Sequence, residues 1–246
     1  MSIQANNVGN VLEICIARPE KRNAISAAMY QELTRLLDEA NADKECAAVI
    51  VHGAGGHFTV GADINDFQTR RGNEDSPAVT LLRKMAAIDV PLIAAVEGLA
   101  IGIGATMLQH VDFAYASQDA RFRMPFVSLG LCPEGASSYL LESLVGVRKA
   151  REWLMLGKFF DAEEAFDAGL LTSLTQDGEA LARARETAAE LAKLPKASVR
   201  ATKRMLNHEN RAAVGSALDL EVKMFAELLN TEATQEIFKS FLNKKR

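Results

Sequence analysis

An α/β fold is predicted by three observations taken together. Short, wholly apolar runs, Ala47–Val51 and Pro91–Val96, have the length and continuity of strands buried on both faces. Glycine-bearing turns follow them, and segments of helical periodicity come next, giving a repeated rhythm of strand, glycine turn and helix. From about Leu140 the chain reads as nearly all helix, so a C-terminal helical layer is predicted.

In chain order, Asn-Asn-Val-Gly-Asn followed by the alternating Val11–Ala17 predicts an opening β-hairpin. Arg18 to Asn23 forms a loop, and Ser26 is positioned to cap a helix reaching about Ala40, with Met29, Leu33, Leu36 and Leu37 on one face. Ala47–Val51 is a buried strand that Gly53-Ala-Gly-Gly56 ends. Asp63 is placed to cap a short helical turn, and the polar stretch Arg70 to Pro77 reads as a loop. Thr80–Ile88 is helical, Pro91–Val96 a buried strand, Gly104–His110 a helix, and Val111–Ala116 another strand. Helices are then predicted over Val147–Gly157, Ala162–Ala168, Gly178–Leu194, Pro195–His208, Ala212–Leu229 and Thr231–Leu242.

Bulk composition excludes several classes of function. With 246 residues, 48% of them hydrophobic and 24% charged, the chain can bury a sizeable core. A formal net charge of −4 argues against a general nucleic-acid role, which needs a basic face to neutralise phosphates. The apolar stretch Leu92–Leu108 is interrupted by Glu97 and three glycines, which fits a buried strand leading into a buried helix better than a membrane span. Three widely spaced cysteines, Cys15, Cys46 and Cys132, predict neither a disulfide framework nor a zinc site. No ligand spacing links His52, His57, His110 and His208, so no metal is expected. The N-terminus lacks a secretory pattern, and a cytoplasmic location is expected.

Chemistry concentrates in three segments. Phe58-Thr-Val-Gly-Ala-Asp-Ile64 and Gly98-Leu-Ala-Ile-Gly-Ile-Gly-Ala105 lie about forty residues apart, and Gly130-Leu-Cys-Pro-Glu-Gly-Ala136 follows them. Glycine lets main-chain N–H groups approach a ligand oxygen closely. Two such groups on one oxygen stabilise an enolate or tetrahedral anion without a charged side chain. A base is then required, and Glu134 is the candidate.

These segments, in this order, resemble the crotonase superfamily, also called the enoyl-CoA hydratase/isomerase family, over essentially the whole chain. Arg18-Pro-Glu-Lys-Arg-Asn-Ala-Ile-Ser26 matches its opening loop, Gly61-Ala-Asp-Ile64 its first glycine motif and Glu97-Gly-Leu-Ala-Ile-Gly-Ile-Gly104 its second, with Pro125, Leu129-Gly130 and Gly157-Lys158 in register. The resemblance implies a crotonase-like spiral of ββα units over residues 1–190. It further implies a C-terminal helical region over 191–246 and assembly as a homotrimer or dimer of trimers. It implies an acyl-CoA substrate, with CoA part of the substrate and no separate cofactor. The backbone amides of Ala62 and Ile103 would hold the thioester oxygen. Arg22, Ala24, Gly61, Asp63, Ile64, Gly102, Phe126 and Pro133 would lie around the substrate.

Departures from the family pattern sharpen the reading. Family hydratases carry two glutamates; the matching positions here are Thr106 and Phe126. Cys132-Pro-Glu-Gly instead resembles the peroxisomal-type Δ3,Δ2-enoyl-CoA isomerases, whose glutamate in this segment is the single base. The implied activity is an enoyl-CoA isomerase moving a double bond from C3 to C2 through a dienolate. An enoyl-CoA hydratase of the same family, and a non-catalytic acyl-CoA-binding protein on the same fold, are the alternatives. Phe126 is expected to keep the pocket dry, and Ile103, commonly glycine in the family, to narrow it. Thr106 is expected to bond a carbonyl one helical turn back. Glu97 is the rival carboxylate, which the family places away from the reacting carbons.

Overall fold

The computed structural model describes residues 3–63 and 75–243. Its first half runs β1 (Ile3–Val8), β2 (Val11–Ile16), α1 (Ala27–Ala42), β3 (Ala48–Gly53), α2 (Pro77–Ala87), β4 (Leu92–Val96), β5 (Leu99–Ile101), α3 (Ile103–Thr106), β6 (Phe113–Ser117) and β7 (Arg121–Arg123). Then come α4 (Ser137–Val145), α5 (Val147–Arg151), β8 (Phe159–Asp161), α6 (Ala162–Asp167) and β9 (Ser173–Thr175). The helices α7 (Ala180–Lys193), α8 (Lys196–Leu206), α9 (Arg211–Leu229) and α10 (Glu232–Asn243) complete the chain.

The six-stranded sheet has the order β1-β2-β3-β4-β6-β9. Only the opening hairpin is antiparallel, with Val8 opposite Val11; every later pairing in this sheet is parallel. Parallel strands need covered faces, and the alternation within β3 and β4 supplies both. Val49, Val51, Leu92, Ala94 and Val96 point into the main core, whereas Ala48, Ile50, Ile93 and Ala95 meet Ala180, Ala184 and Ala188 of α7. Small alanines let α7 lie close on the sheet. Each larger branched side chain so buried stabilises the fold by about 1.5–3 kcal/mol over exposure.

A second, three-stranded sheet has the order β5-β7-β8, with β5 and β7 parallel and β7 and β8 antiparallel. Stacked Trp153, Phe160 and Phe122 pack behind it. Two sheets joined by β4–β5 and β6–β7 give the expected spiral of strand pairs and helices.

Most predicted elements are present. The expected face of α1 is buried, with Met29, Leu33, Leu36 and Leu37 joined by Tyr30 and Ala40. Ser26 occupies the N-cap position of α1 with extended backbone but makes no side-chain cap bond; its carbonyl accepts from Tyr30 N at 3.0 Å. Helix α2 starts at Pro77, three residues before the prediction, because Ser76 caps it by accepting from Val79 N. The predicted loop from Arg70 lies largely outside the described residues, as does the turn after Asp63. The helix predicted over Gly104–His110 is split into α3 and a 3₁₀ turn over Met107–His110, and that predicted over Val147–Gly157 into α5 and a π-type turn over Glu152–Leu156. The region after Leu140 is less uniformly helical than predicted, since β8 and β9 interrupt it. Strands of three residues are too short to carry a readable period.

Two C-terminal helices reach the site. Helix α9 packs against α2 and α4, and α10 against α9 and the short turn Val127–Leu129.

Candidate active site

The two glycine loops lie side by side. Thr59 N donates to Leu99 O at 3.0 Å and Ile101 N to Thr59 O at 2.9 Å, so the first loop runs parallel to β5. A Cβ on Gly61 would sit 2.6 Å from Ile101 O and 3.7 Å from Ile103 N, and its φ is +87°. Only glycine permits that approach. Gly102 has φ 59° and ψ −123°, a conformation closed to residues with a side chain, and it turns the chain from β5 into α3.

This backbone leaves two donors unengaged. Ile25 N donates to Gly61 O at 2.8 Å and Asp63 N donates to Ile25 O at 2.9 Å, so the bridge brackets Ala62 and leaves its amide on the opposite side. Ile103 is the first residue of α3, where an amide has no partner one turn back. Among the described residues neither amide donates to a protein acceptor. Two free N–H groups on adjoining loops can receive an oxygen that gains negative charge.

A residue without a predicted role holds the opening loop to this frame. Asn23 is fully buried in the left-handed region, at φ 60°. Its Nδ2 donates to Ala54 O at 2.8 Å and His57 O at 2.6 Å, and its Oδ1 accepts from Arg18 N at 2.9 Å. Its carbonyl accepts from Thr59 Oγ1 at 2.6 Å, and the Thr59 hydroxyl in turn accepts from Gly61 N at 3.0 Å. Asp63, predicted as a cap and a substrate neighbour, accepts from Arg18 at 2.9 Å and Lys21 at 3.5 Å, pinning the two loops together; the turn it would cap lies outside the described residues. Arg22 is exposed and Ala24 is buried in that loop. Ile64 lies outside the described residues.

The Glu134 carboxyl meets the end of α3. Its Oε1 accepts from Thr106 Oγ1 at 2.7 Å. Thr106 therefore does not turn back on its own helix as expected: the turn carrying Glu134 brings a stronger, ionisable acceptor within reach. Burial of the Glu134 carboxyl pushes its pKa up to about 7; the Thr106 bond works against that rise and the carboxylate of Glu221 adds to it. Beside it, His110 is buried and held neutral, its pKa pressed down to about 4 mainly by burial. Its Nε2–H donates to Gly135 O at 2.8 Å, a carbonyl being able only to accept. Ser137 Oγ donates to Glu134 O at 2.5 Å and accepts from Gln109 Nε2 at 2.8 Å.

The other expected residues divide. Pro133 and Cys132 precede the base and are half-buried, and burial pushes the Cys132 thiol up to about 11. Phe126 is buried in the main core, its carbonyl accepting from Leu129 N and Leu131 N. Glu97, the rival carboxylate, accepts from Gly178 N and Ala180 N at 3.0 Å each and so closes the start of α7. That places it in structural work.

Glu221 of α9 was invisible in the sequence. It is buried and accepts from Ala136 N at 2.6 Å, Ser138 N at 2.9 Å and Ser138 Oγ at 2.6 Å. It lies 85 positions from Ala136, so no local pattern signals it.

Residues 6–246 match the family model described as enoyl-CoA hydratase/isomerase. The short-chain-enoyl-CoA hydratase of Clostridium acetobutylicum is 29% identical over 254 residues, covering 99% of this chain and 97% of that protein. Enoyl-CoA delta isomerase 2 of Rattus norvegicus is 32% identical over 251 residues, covering 99% of this chain and 64% of that longer protein. The crystal structure of an enoyl-CoA hydratase/isomerase from Pseudoalteromonas atlantica T6c superposes with a TM-score of 0.94 at 36% identity, covering 99% of this chain and 98% of that one. With paired glycine loops, a glutamate bonded to Thr106 of α3 and a matching family model over nearly its full length, the chain belongs to the enoyl-CoA hydratase/isomerase family and has the crotonase fold.

Proposed function

We propose that this family member is an enoyl-CoA isomerase acting on an acyl-CoA thioester, with Glu134 as its single shuttle base. The observation that carries the reading is the Glu134 carboxyl itself, bonded to Thr106 at 2.7 Å and with its pKa raised to about 7. A base poised near neutrality can both accept and return a proton.

In the proposed step, the Glu134 carboxylate takes a proton from C2 of a 3-enoyl-CoA. The C–H electron pair delocalises into a dienolate, whose negative charge rests on the thioester oxygen. The amides of Ala62 and Ile103 receive that charge, each donor contributing on the order of 3 kcal/mol by analogy with other oxyanion sites. Protonated Glu134 then delivers the proton to C4, the C2=C3 bond forms and the thioester carbonyl is restored. The proton removed is the proton returned, so no cofactor is needed.

Water addition requires a second group to position and activate water. Thr106 and Phe126 stand where the resemblance places the two hydratase glutamates, and neither is a general base. The similarity to enoyl-CoA delta isomerase 2 favours the same reading. A hydratase is the second reading, favoured by the similarity to a short-chain-enoyl-CoA hydratase along nearly the whole of both chains. We further propose a trimeric assembly, for which the exposed Val147, Met155, Leu156 and Phe159 supply apolar surface.

One assay separates the readings. Purified protein is offered 3-enoyl-CoA and 2-enoyl-CoA in parallel. Conjugation of the first without hydration of the second supports the isomerase; hydration of the second identifies a hydratase; binding without turnover of either overturns both.

A further inference from the structure

The segment that carries Glu134 is clamped by the C-terminal helices at both ends. At its start, Thr234 Oγ1 of α10 donates to Gly130 O at 2.9 Å. At its end, Glu221 of α9 collects the amides of Ala136 and Ser138 and the Ser138 hydroxyl. Between them Gly135 and Ala136 both adopt positive φ, 73° and 57°. For Ala136 that conformation is costly, and it persists because its amide is held at 2.6 Å by the buried Glu221 carboxyl. Burial raises the Glu221 pKa, and the three donors from Ser138 and Ala136 work against that rise by favouring the ionised form.

We propose that Glu221 is a positioning residue for the reaction: a buried anion on α9 that fixes the turn carrying Glu134 and, through its charge, governs when Glu134 releases its proton. The inference rests on the reading of Glu134 as the base. Glu221 does not lie within hydrogen-bond reach of the reacting carboxyl in any contact of the structure; it acts through the Gly135–Ser138 turn and through the field. Among the described residues, the groups facing this pair are few. From the α3 side come Thr106, Gln109 and neutral His110, the last subject to the nearby Lys203 charge. The Cys132 thiol, which feels both carboxylates, precedes the turn. Helix α2 presents Leu82 to Gly135, and α4 supplies Ser137 and Ser138. Among these, Glu221 is the one anion besides the base.

Like charges in a shared interior hold one another's protons on. Neutralising Glu221 while keeping its shape therefore lets Glu134 ionise at lower pH. The test is the pH profile of kcat/KM for the conversion of 3-enoyl-CoA by the full-length protein. In Glu221→Gln the acid limb is expected to move down by about half a unit or more, the size of one charge acting through an effective dielectric near 20, with KM within about twofold of the parent. Glu221→Asp keeps the charge and shortens the reach; its limb stays in place while kcat falls. A limb unmoved in Glu221→Gln overturns the proposal, as does a limb that Asp shifts as far as Gln. Should Glu221→Gln fail to fold, an unchanged kcat in Glu221→Asp overturns it alone. Glu134→Gln is run beside them: if it stays active, the base assignment falls; if it is inactive and the limb is unmoved in Glu221→Gln, only the role of Glu221 falls.

Discussion

Thr106 Oγ1 donates to Glu134 Oε1 at 2.7 Å, joining residues 28 positions apart. Thr106 stands three residues after Ile103 in the same helix, a rise of about 4.5 Å. One short rigid element thus carries both a free backbone donor and the group that orients the base.

Removing that hydroxyl should shift the chemistry in a defined direction. The Thr106 bond favours ionised Glu134 and so holds its pKa below the level that burial alone would set. Thr106→Val raises that pKa, and the acid limb of kcat/KM moves up by about one unit, a hydrogen bond to a charged group being worth about 1.5–3 kcal/mol. Thr106→Ser restores the parent profile. A downward shift, or none, in Thr106→Val would show that the bond does not act on the ionised base.

Glu134→Gln should lose activity and gain stability together. Loss of a general acid–base group lowers kcat by about 10²–10⁴-fold, while thioester binding persists. For stability, the folded pKa of about 7 lies above the unfolded value of 4.5. A raised carboxyl pKa means stability present in full below pH 4.5 and lost as pH rises through 7. That loss amounts to about 3 kcal/mol, and the glutamine variant escapes it. Its Tm should match the parent near pH 4.5 and exceed it by several degrees at pH 8, on the order of 2–4 °C per kcal/mol. A parent more stable than the variant at pH 8 would contradict the burial of the carboxyl.

Which of these relations could be read in the sequence follows from how far each partner reaches. The amides of Ala62 and Ile103 belong to glycine turns whose local spacing is visible, and Glu134 stands in a distinctive Pro-Glu-Gly turn. The parallel core strands were legible because both faces of β3 and β4 are apolar. Asn23 and Glu221 were not: apart from Arg18, five positions from Asn23, their partners lie 31–36 and 83–85 positions away and are brought near only by packing. Thr106 departs from expectation because a helical threonine has a ready acceptor on its own helix, and only the fold supplies the competing carboxylate. The strands β5, β7 and β8 of the second sheet are three residues each, shorter than any alternation can reveal.

Asn23 invites a stability measurement. Asn23→Ala strands the carbonyls of half-buried Ala54 and His57 and the amide of Arg18, which its side chain now satisfies. It also places alanine at φ 60°, where asparagine is better tolerated. A loss of about 2–4 kcal/mol is expected, read as a lower midpoint in urea with an unchanged slope. Because Thr59 and Gly61 hang on the same residue, kcat should fall as well. Parent-like stability would mean that water replaces the side chain without cost.

Arg22 offers the converse case, a residue whose loss should affect binding alone. It is exposed at φ 49°, and its carbonyl accepts from Val60 N at 3.1 Å, so its backbone is anchored to the first glycine loop. Among the described residues its guanidinium is in no ion pair, leaving it available to a phosphate of the CoA portion. An exposed pair of this kind is worth about 0.2–1 kcal/mol and weakens with salt because the screening length is about 10 Å at 0.1 M. Arg22→Ala should therefore raise KM about twofold to fivefold with kcat unchanged. The steeper the parent's loss of affinity between low and high salt, the flatter the variant's should be by comparison. If both chains respond to salt identically, Arg22 does not meet the phosphates, and the opening loop contributes to the site only through the bonds of Asn23 and Asp63.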